Sequence, residues 1–261
     1  MSTLTSAALQ RDALERPSSV VGEFRRLLVL AREGWSRGTR PWLAVAAALA
    51  AVLVSAMLHY HVFSPQLWRS GDVYASLPIT TELARLPMSF FLPTPYLPLW
   101  GACLQLLVVI GLGELILGRR LTIMVAIAGH VGSTLVARAL LDSVHGYVFG
   151  LAPSLAHVLD TGPSAATTAV GACLLVCARL NRCVVLLSVA LLGAAFIAPG
   201  IDGIEHLMAL VCGLILGVTT RLVTSKSMNF RVPSWVLHLR SSRVFRVLRL
   251  PRLAFARRSR G

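Results

Sequence analysis

Six long apolar stretches, separated by polar or arginine-rich connections, organise the sequence. They cover residues 41–63, 97–118, 121–141, 163–178, 183–199 and 204–220. As helices rising about 1.5 Å per residue, stretches of this length approach or exceed the roughly 30 Å thickness of a membrane's hydrocarbon core. The pattern therefore predicts an all-α, polytopic membrane protein with six transmembrane helices, here called spans 1 to 6.

The polar connections divide the chain into three regions. A mixed-charge N-terminal segment, residues 1–40, precedes the six-helix membrane domain, residues 41–221, and a basic tail follows in residues 222–261. Residues 64–96, between spans 1 and 2, contain acidic residues and several prolines. We expect this segment to be an interfacial loop with short amphipathic turns. The first forty residues lack the short apolar core of a signal peptide, so no cleavable leader is expected.

Composition and charge narrow the class of protein. The chain is 56% hydrophobic, and its mean hydropathy of +0.72 excludes a soluble protein. Most of the net charge of +14 comes from arginine, and the arginines flank the spans. The N-terminal segment, the 2–3 and 4–5 turns and the tail are basic, whereas the other connections carry few basic residues. The positive-inside rule then predicts an integral protein of the plasma membrane with both termini in the cytoplasm.

The tail and the cysteines suggest less specific roles. In the tail, an arginine recurs every third residue among Val, Phe and Leu, at Arg240, Arg243, Arg246, Arg249 and Arg252. This pattern is typical of a segment lying on anionic lipid, although a simple positive stop-transfer tail explains it equally well. Nucleic-acid binding is not expected. The five cysteines lie in or beside apolar stretches without His or carboxylate neighbours, so we expect no metal or other cofactor. The oligomeric state is left open.

Two polar residues within the apolar stretches are candidates for chemistry. Ser164 precedes Arg179 by fifteen residues, and His206 precedes Arg221 by fifteen residues. Each interval corresponds to about 22 Å of helix. If both arginines mark the same membrane face, the hydroxyl and the imidazole lie at one depth, roughly 8 Å below the opposite face. Polar groups inside a membrane are costly, which suggests that this pair has a function.

Small residues predict that spans 4 and 6 pack closely. They recur every fourth position and would let the two helix backbones approach each other. On span 4 they are Ala165, Ala169, Cys173 and Cys177, and on span 6 they are Ala209, Gly213 and Gly217.

Three motifs resemble the rhomboid family of intramembrane serine proteases, over roughly residues 86–221. Gly162-Pro163-Ser164-Ala165 resembles the nucleophile motif Gly-x-Ser-Gly. His206, followed by Ala209 and Gly213, resembles the family's His-x-x-Gly-x-x-x-Gly. Glu114 with Gly118 and Arg119 resembles the Glu, Gly and basic turn at the inner end of span 2.

The resemblance implies a rhomboid-like six-helix bundle and an intramembrane serine peptidase acting on membrane-protein substrates. Ser164 would be the nucleophile and His206 the general base of a dyad, while the Ser164 backbone and Gln105 would be candidate oxyanion donors. The sequence departs from the family at several positions. Ala165 replaces a glycine, Pro163 lacks an N–H group, and Pro98 and Ala102 stand where many rhomboids carry His and Asn. Thr168 stands where an aromatic residue often packs on the histidine.

The main alternative is a rhomboid-like protein without peptidase activity that binds or escorts membrane clients, as inactive rhomboids and derlins do. Ser164 also suits an ordinary helix start, and His206 suits an interfacial histidine whose ring Asp202 orients. Glu114 is expected to form a structural pair with Arg119 or Arg120 rather than to act in catalysis. For His130 we expect a hydrogen bond between helices rather than a metal.

Overall fold

A computed structural model of the chain describes residues 19–62, 71–74, 76–92, 98–143, 161–197 and 200–229. The chain forms two compact units, Met1–Arg221 and Leu222–Gly261. Of the second unit, only the end of a helix is described. The arginine repeat predicted to bind anionic lipid in the tail therefore lies outside the described residues.

Every regular element among the described residues is a helix, which confirms the all-α prediction for this part of the chain. In chain order the helices are α1 Val20–Ser36, α2 Trp42–His59, α3 Ile79–Ser89, α4 Leu99–Ile116, α5 Arg119–Ser143, α6 Ser164–Cys177, α7 Asn181–Ile197 and α8 Ile201–Asn229.

Four of these helices, α2, α4, α5 and α8, are long and apolar enough to cross a membrane, which indicates a membrane protein. The other two apolar helices, α6 and α7, are shorter, with 14 and 17 residues. Fourteen residues of helix measure only about 21 Å. Helices thus occupy all six predicted spans, but only four reach the length expected of a crossing. The six-crossing bundle remains a prediction.

Helix α6 lies between α5 and α8 at backbone contact. A Cβ atom added to Gly129 of α5 would lie 2.2 Å from Ala169 Cβ, and one added to Gly213 of α8 would lie 2.3 Å from Ala169 O. Further along, Cys177 Sγ lies 3.7 Å from Gly217 O. These distances leave no room for a larger residue at either glycine. The small residues of spans 4 and 6 therefore do face each other, as their spacing predicts.

Two buried glutamates bind the backbone at helix N-termini. Glu114, at the end of α4, accepts a hydrogen bond from the N–H of Ala44 at 2.9 Å and pairs with Arg119 at 3.0 Å. Glu23, in α1, accepts hydrogen bonds from the N–H groups of Arg182 and Cys183 at 3.1 and 2.8 Å. The first N–H groups of a helix have no partner within the helix, so each carboxylate satisfies donors of α2 or α7. The expected structural pair of Glu114 and Arg119 is thus present.

Helix α4 is interrupted by a π-helical turn at Leu106–Ile110, with α-helix before and after it. Such a turn accommodates one extra residue within the helix. In an uninterrupted α-helix ending at Glu114, the side chains that precede this turn would point elsewhere. The extra residue rotates them by about 100° around the helix axis.

Candidate functional site

The candidate nucleophile begins the central helix α6. Gly162 has a φ of +113°, a conformation that favours glycine, and its N–H donates a 2.9 Å hydrogen bond to Ser89 O at the end of α3. Pro163 follows as the N-cap residue, and Ser164 is the first residue of α6. Ser164 is only half-buried, whereas Gly162, Pro163 and Ala165 are buried. The Gly-x-Ser segment is therefore held in place by α3, and Ser164 is its one partly exposed residue.

Gln105, the candidate oxyanion donor, reaches the first turn of α6. Thr167 Oγ1 donates a 2.9 Å hydrogen bond to Ser164 O and lies 3.5 Å from Gln105 Oε1. Gln105 and the backbone of Ser164 therefore both contact the hydroxyl of Thr167. Thr167 is not among the residues that the sequence predicts for the site. A hydroxyl three residues after a helix start is the signal that would have identified it.

His206 lies in the second turn of α8 and is half-buried. Its Nδ1 lies 2.6 Å from the backbone oxygen of Asp202. A carbonyl only accepts hydrogen bonds, so Nδ1 carries a proton, and in the neutral ring Nε2 is then the nitrogen with the lone pair. Asp202 does hold the ring, but through its backbone rather than through its carboxylate.

Ser164 and His206 are not joined by a hydrogen bond in the described part of the chain. His206 is three residues before Ala209 and so lies on the face of α8 that contacts α6. Ser164 is five residues before Ala169, the residue that Gly213 of α8 contacts, which places it about 140° around α6 from that contact. A dyad would require the hydroxyl and the imidazole to turn toward each other from these positions.

The two positions of span 2 where many rhomboids carry His and Asn provide no side-chain hydrogen-bond donor in this chain. Pro98 is the N-cap residue of α4 and has no N–H group, and Ala102 is buried with 4% exposure. The π-turn lies between these two residues and Glu114. The side of α4 on which they lie therefore cannot be read from the 3.6-residue spacing back from Glu114. Thr168, at the position of the family's aromatic residue, is half-buried.

His130 forms the expected hydrogen bond between helices. Its Nε2 lies 3.2 Å from Ser89 Oγ and 3.3 Å from Leu86 O, both on α3. Ser89 therefore contacts α5 through its hydroxyl and Gly162 through its carbonyl. This link between α5, α3 and the start of α6 was not predicted, since no short-range pattern relates residues 41 and 73 positions apart.

An apolar cavity of about 620 Å³ lies between α2, α3 and α5. His130 is the one polar side chain among the described residues that line it; the others include Leu43, Ala46, Leu83, Phe90 and Ile127. No cluster of three or more His, Cys, Asp or Glu side chains that could hold a metal ion occurs within the described ranges.

Comparison of the chain with protein-family models, with curated proteins and with solved structures gives no match. The fold and the site define the class: a helical membrane protein in which a serine in the first turn of one helix and a histidine in the second turn of another lie on two closely packed helices.

Proposed function

We propose that the chain is a rhomboid-like intramembrane serine peptidase that uses Ser164 as nucleophile and His206 as general base. The observation that carries this proposal is the hydrogen bond between His206 Nδ1 and Asp202 O, 2.6 Å long. It fixes the tautomer in which Nε2 has a free lone pair, as a general base requires. His206 is also on the face of α8 that contacts α6, the helix that Ser164 begins.

The reaction follows from these groups. Nε2 of His206 takes the proton of Ser164 as the serine oxygen attacks a peptide carbonyl, and the imidazolium then protonates the leaving amine. Water, activated by the same nitrogen, hydrolyses the acyl-enzyme. The half-buried state of both residues is compatible with access of water to the site.

The oxyanion would be stabilised at the start of α6. Free N–H groups and the helix dipole favour negative charge there, but Pro163 contributes no N–H. We assign the two donors to the Ser164 backbone and to the side-chain amide of Gln105. The contact of Gln105 Oε1 with Thr167 brings this side chain close to the start of α6, because Thr167 also donates to Ser164 O; the donor to the oxyanion would be Gln105 Nε2.

A fluorophosphonate probe, which reacts with activated serines, tests the proposal on the purified protein in detergent. We expect labelling of the wild type and none of Ser164→Ala. His206→Ala should lose labelling to the same extent, because members of a dyad act as a unit. Thr168→Ala is the matched control, since it removes another half-buried hydroxyl one turn further along α6. Labelling that survives in Ser164→Ala, or none in the wild type, would end the peptidase proposal.

A second candidate function is binding of membrane clients without cleavage. It is favoured by the missing hydrogen bond between Ser164 and His206 and by the apolar cavity between α2, α3 and α5. Photo-crosslinking of a co-expressed single-span protein separates the two functions. A client binder would retain the crosslinked protein intact and equally in the wild type and Ser164→Ala. A peptidase would accumulate the uncleaved protein in Ser164→Ala alone.

A further inference from the structure

Helix α1 presents three distinct faces. One face is buried against the helical bundle through Glu23, Leu27 and Gly34. A second face is apolar but exposed, and its members recur at spacings of three, four and seven residues, which places them on one side of a helix. They are Val21, Phe24, Leu28 and Trp35, with exposures of 63, 56, 53 and 50%. An exposed apolar stripe of this length requires a partner.

The contacts of α1 place it at the ends of the apolar helices. A Cβ atom on Gly34 would lie 2.0 Å from Leu115 O, in the last turn of α4. Glu23 binds N–H groups in the first turn of α7, and α2 begins at Trp42, six residues after α1 ends. Because α2 and α4 are long enough to cross the membrane, their ends lie near its surface. The exposed apolar face of α1 is therefore level with the bilayer interface.

The third face is basic and adjoins the apolar one. Arg25 follows Phe24, and Arg32 lies one turn beyond Leu28; both arginines are exposed. They are seven residues apart, which puts them on the same side at a separation of about 10 Å. Neither has a hydrogen bond or an ion pair to another described residue. By contrast, Arg37 pairs with Glu33 at 2.9 Å.

We infer that α1 binds the surface of an anionic membrane leaflet. Phe24, Leu28 and their apolar neighbours insert at the boundary between headgroups and acyl chains, while Arg25 and Arg32 bind lipid phosphates. Trp35 marks the interface, with the Arg40 guanidinium stacked 4.3 Å from its ring centre. This lipid contact is independent of the proposed serine chemistry, and it lies in the N-terminal segment rather than in the tail.

Hydrogen exchange of the full chain in lipid nanodiscs tests the inference. One set of discs contains only phosphatidylcholine, and in the other one lipid in three is phosphatidylglycerol. We expect the amides of α1 to exchange more slowly in the anionic discs, by about fivefold for each arginine at the surface. The amides of α5 serve as the internal reference and should not change.

Three variants sharpen the test. Arg25→Gln and Arg32→Gln should each reduce the effect of anionic lipid by about fivefold. Arg37→Gln, the matched control, removes the same charge from a residue already paired with Glu33 and should leave the effect unchanged. Phe24→Gln should speed the exchange of α1 in both kinds of disc. Equal exchange of α1 in neutral and anionic discs would overturn the lipid assignment, as would full retention of the effect in both Arg25→Gln and Arg32→Gln.

Discussion

At the scale of single residues, Glu23 shows how a buried charge can stabilise this chain. Its side chain is 3% exposed. Burial by itself raises the pKa of a carboxyl group, but the N–H groups of Cys183 and Arg182 outweigh burial and hold the pKa of Glu23 below its usual value. A carboxyl whose pKa falls on folding contributes stability at neutral pH. That contribution is lost as the pH falls through the lowered pKa of Glu23.

Replacing Glu23 tests this account. Glu23→Gln keeps the shape of the side chain but removes its charge, and hydrogen bonds to charged groups contribute about 1.5–3 kcal/mol each. We expect a loss of about 2 kcal/mol in the free energy of unfolding at pH 7. The difference from wild type should shrink as the pH falls through the lowered pKa of Glu23, because the wild-type carboxyl then also becomes neutral. Chemical denaturation in detergent at several pH values measures it.

The control for that experiment is Glu33→Gln. Glu33 pairs with Arg37 on the exposed surface, where such pairs contribute at most about 1 kcal/mol. A Glu23→Gln variant that tracks the wild type at every pH would contradict the role given to the carboxylate.

At the scale of helices, apolar runs were sufficient to predict the positions of six apolar helices, four of them long enough to cross a membrane. The stretch 163–178 became Ser164–Cys177, and 41–63 became Trp42–His59. A search for continuous apolar sequence does not predict helix α1, because its arginines interrupt the apolar residues. Its signal lies in the helical spacing of residues such as Phe24 and Leu28. The π-turn of α4 has no sequence signal at all, since Leu106–Ile110 is uniformly apolar.

The candidate site was predictable only in part, for related reasons. The local patterns around Ser164 and His206 identified both residues and the close packing of their helices. They did not give the rotation of Ser164 about α6 relative to His206, because a one-residue offset on a helix changes direction by about 100°. The link from Ser89 to Gly162 depends on how α3 folds back on the bundle. Such long-range contacts are set by packing rather than by any local pattern.

The glycine of α8 that faces α6 gives a direct test of their packing. Gly213→Ala would bring Cβ to 2.3 Å from Ala169 O, so the helices must separate. Overpacking of this kind typically costs about 1–3 kcal/mol, and we expect that loss in the free energy of unfolding in detergent.

Gly193→Ala in α7 is the matched control, because a Cβ there meets nothing within 4 Å. It should be neutral or stabilising by up to about 1 kcal/mol, since alanine favours helix more than glycine does. Equal effects of the two substitutions would argue against backbone contact between α6 and α8.

At the scale of the whole molecule, the short helices α6 and α7 decide the number of membrane crossings. Residue 150 precedes α6 in the chain, and Arg179 follows it. If α6 crosses the membrane, the two residues lie on opposite sides. We predict six crossings with both termini in the cytoplasm, because the arginine-rich connections then share one side. Arg179→Cys should be labelled by an impermeant maleimide from the inside only, and Gly150→Cys from the outside only.

The background for this experiment is a variant whose five cysteines are replaced by serine or alanine. Labelling of both positions from the same side would mean that α6 does not cross the membrane, and it would contradict the six-crossing prediction.

The contact between Glu23 and the start of α7 also constrains the order in which the protein is made. The N–H groups that Glu23 binds belong to residues 159 and 160 positions later in the chain. When α1 leaves the ribosome, those partners have not been synthesised, and five helices must follow before they appear. Until then, α1 can pack only on the membrane surface and on helices made earlier, such as α4, whose Leu115 O lies beside Gly34. Its final docking therefore comes late in biogenesis, after α7 is in place, and a chain that stops short of residue 182 would leave the carboxylate of Glu23 without these N–H partners.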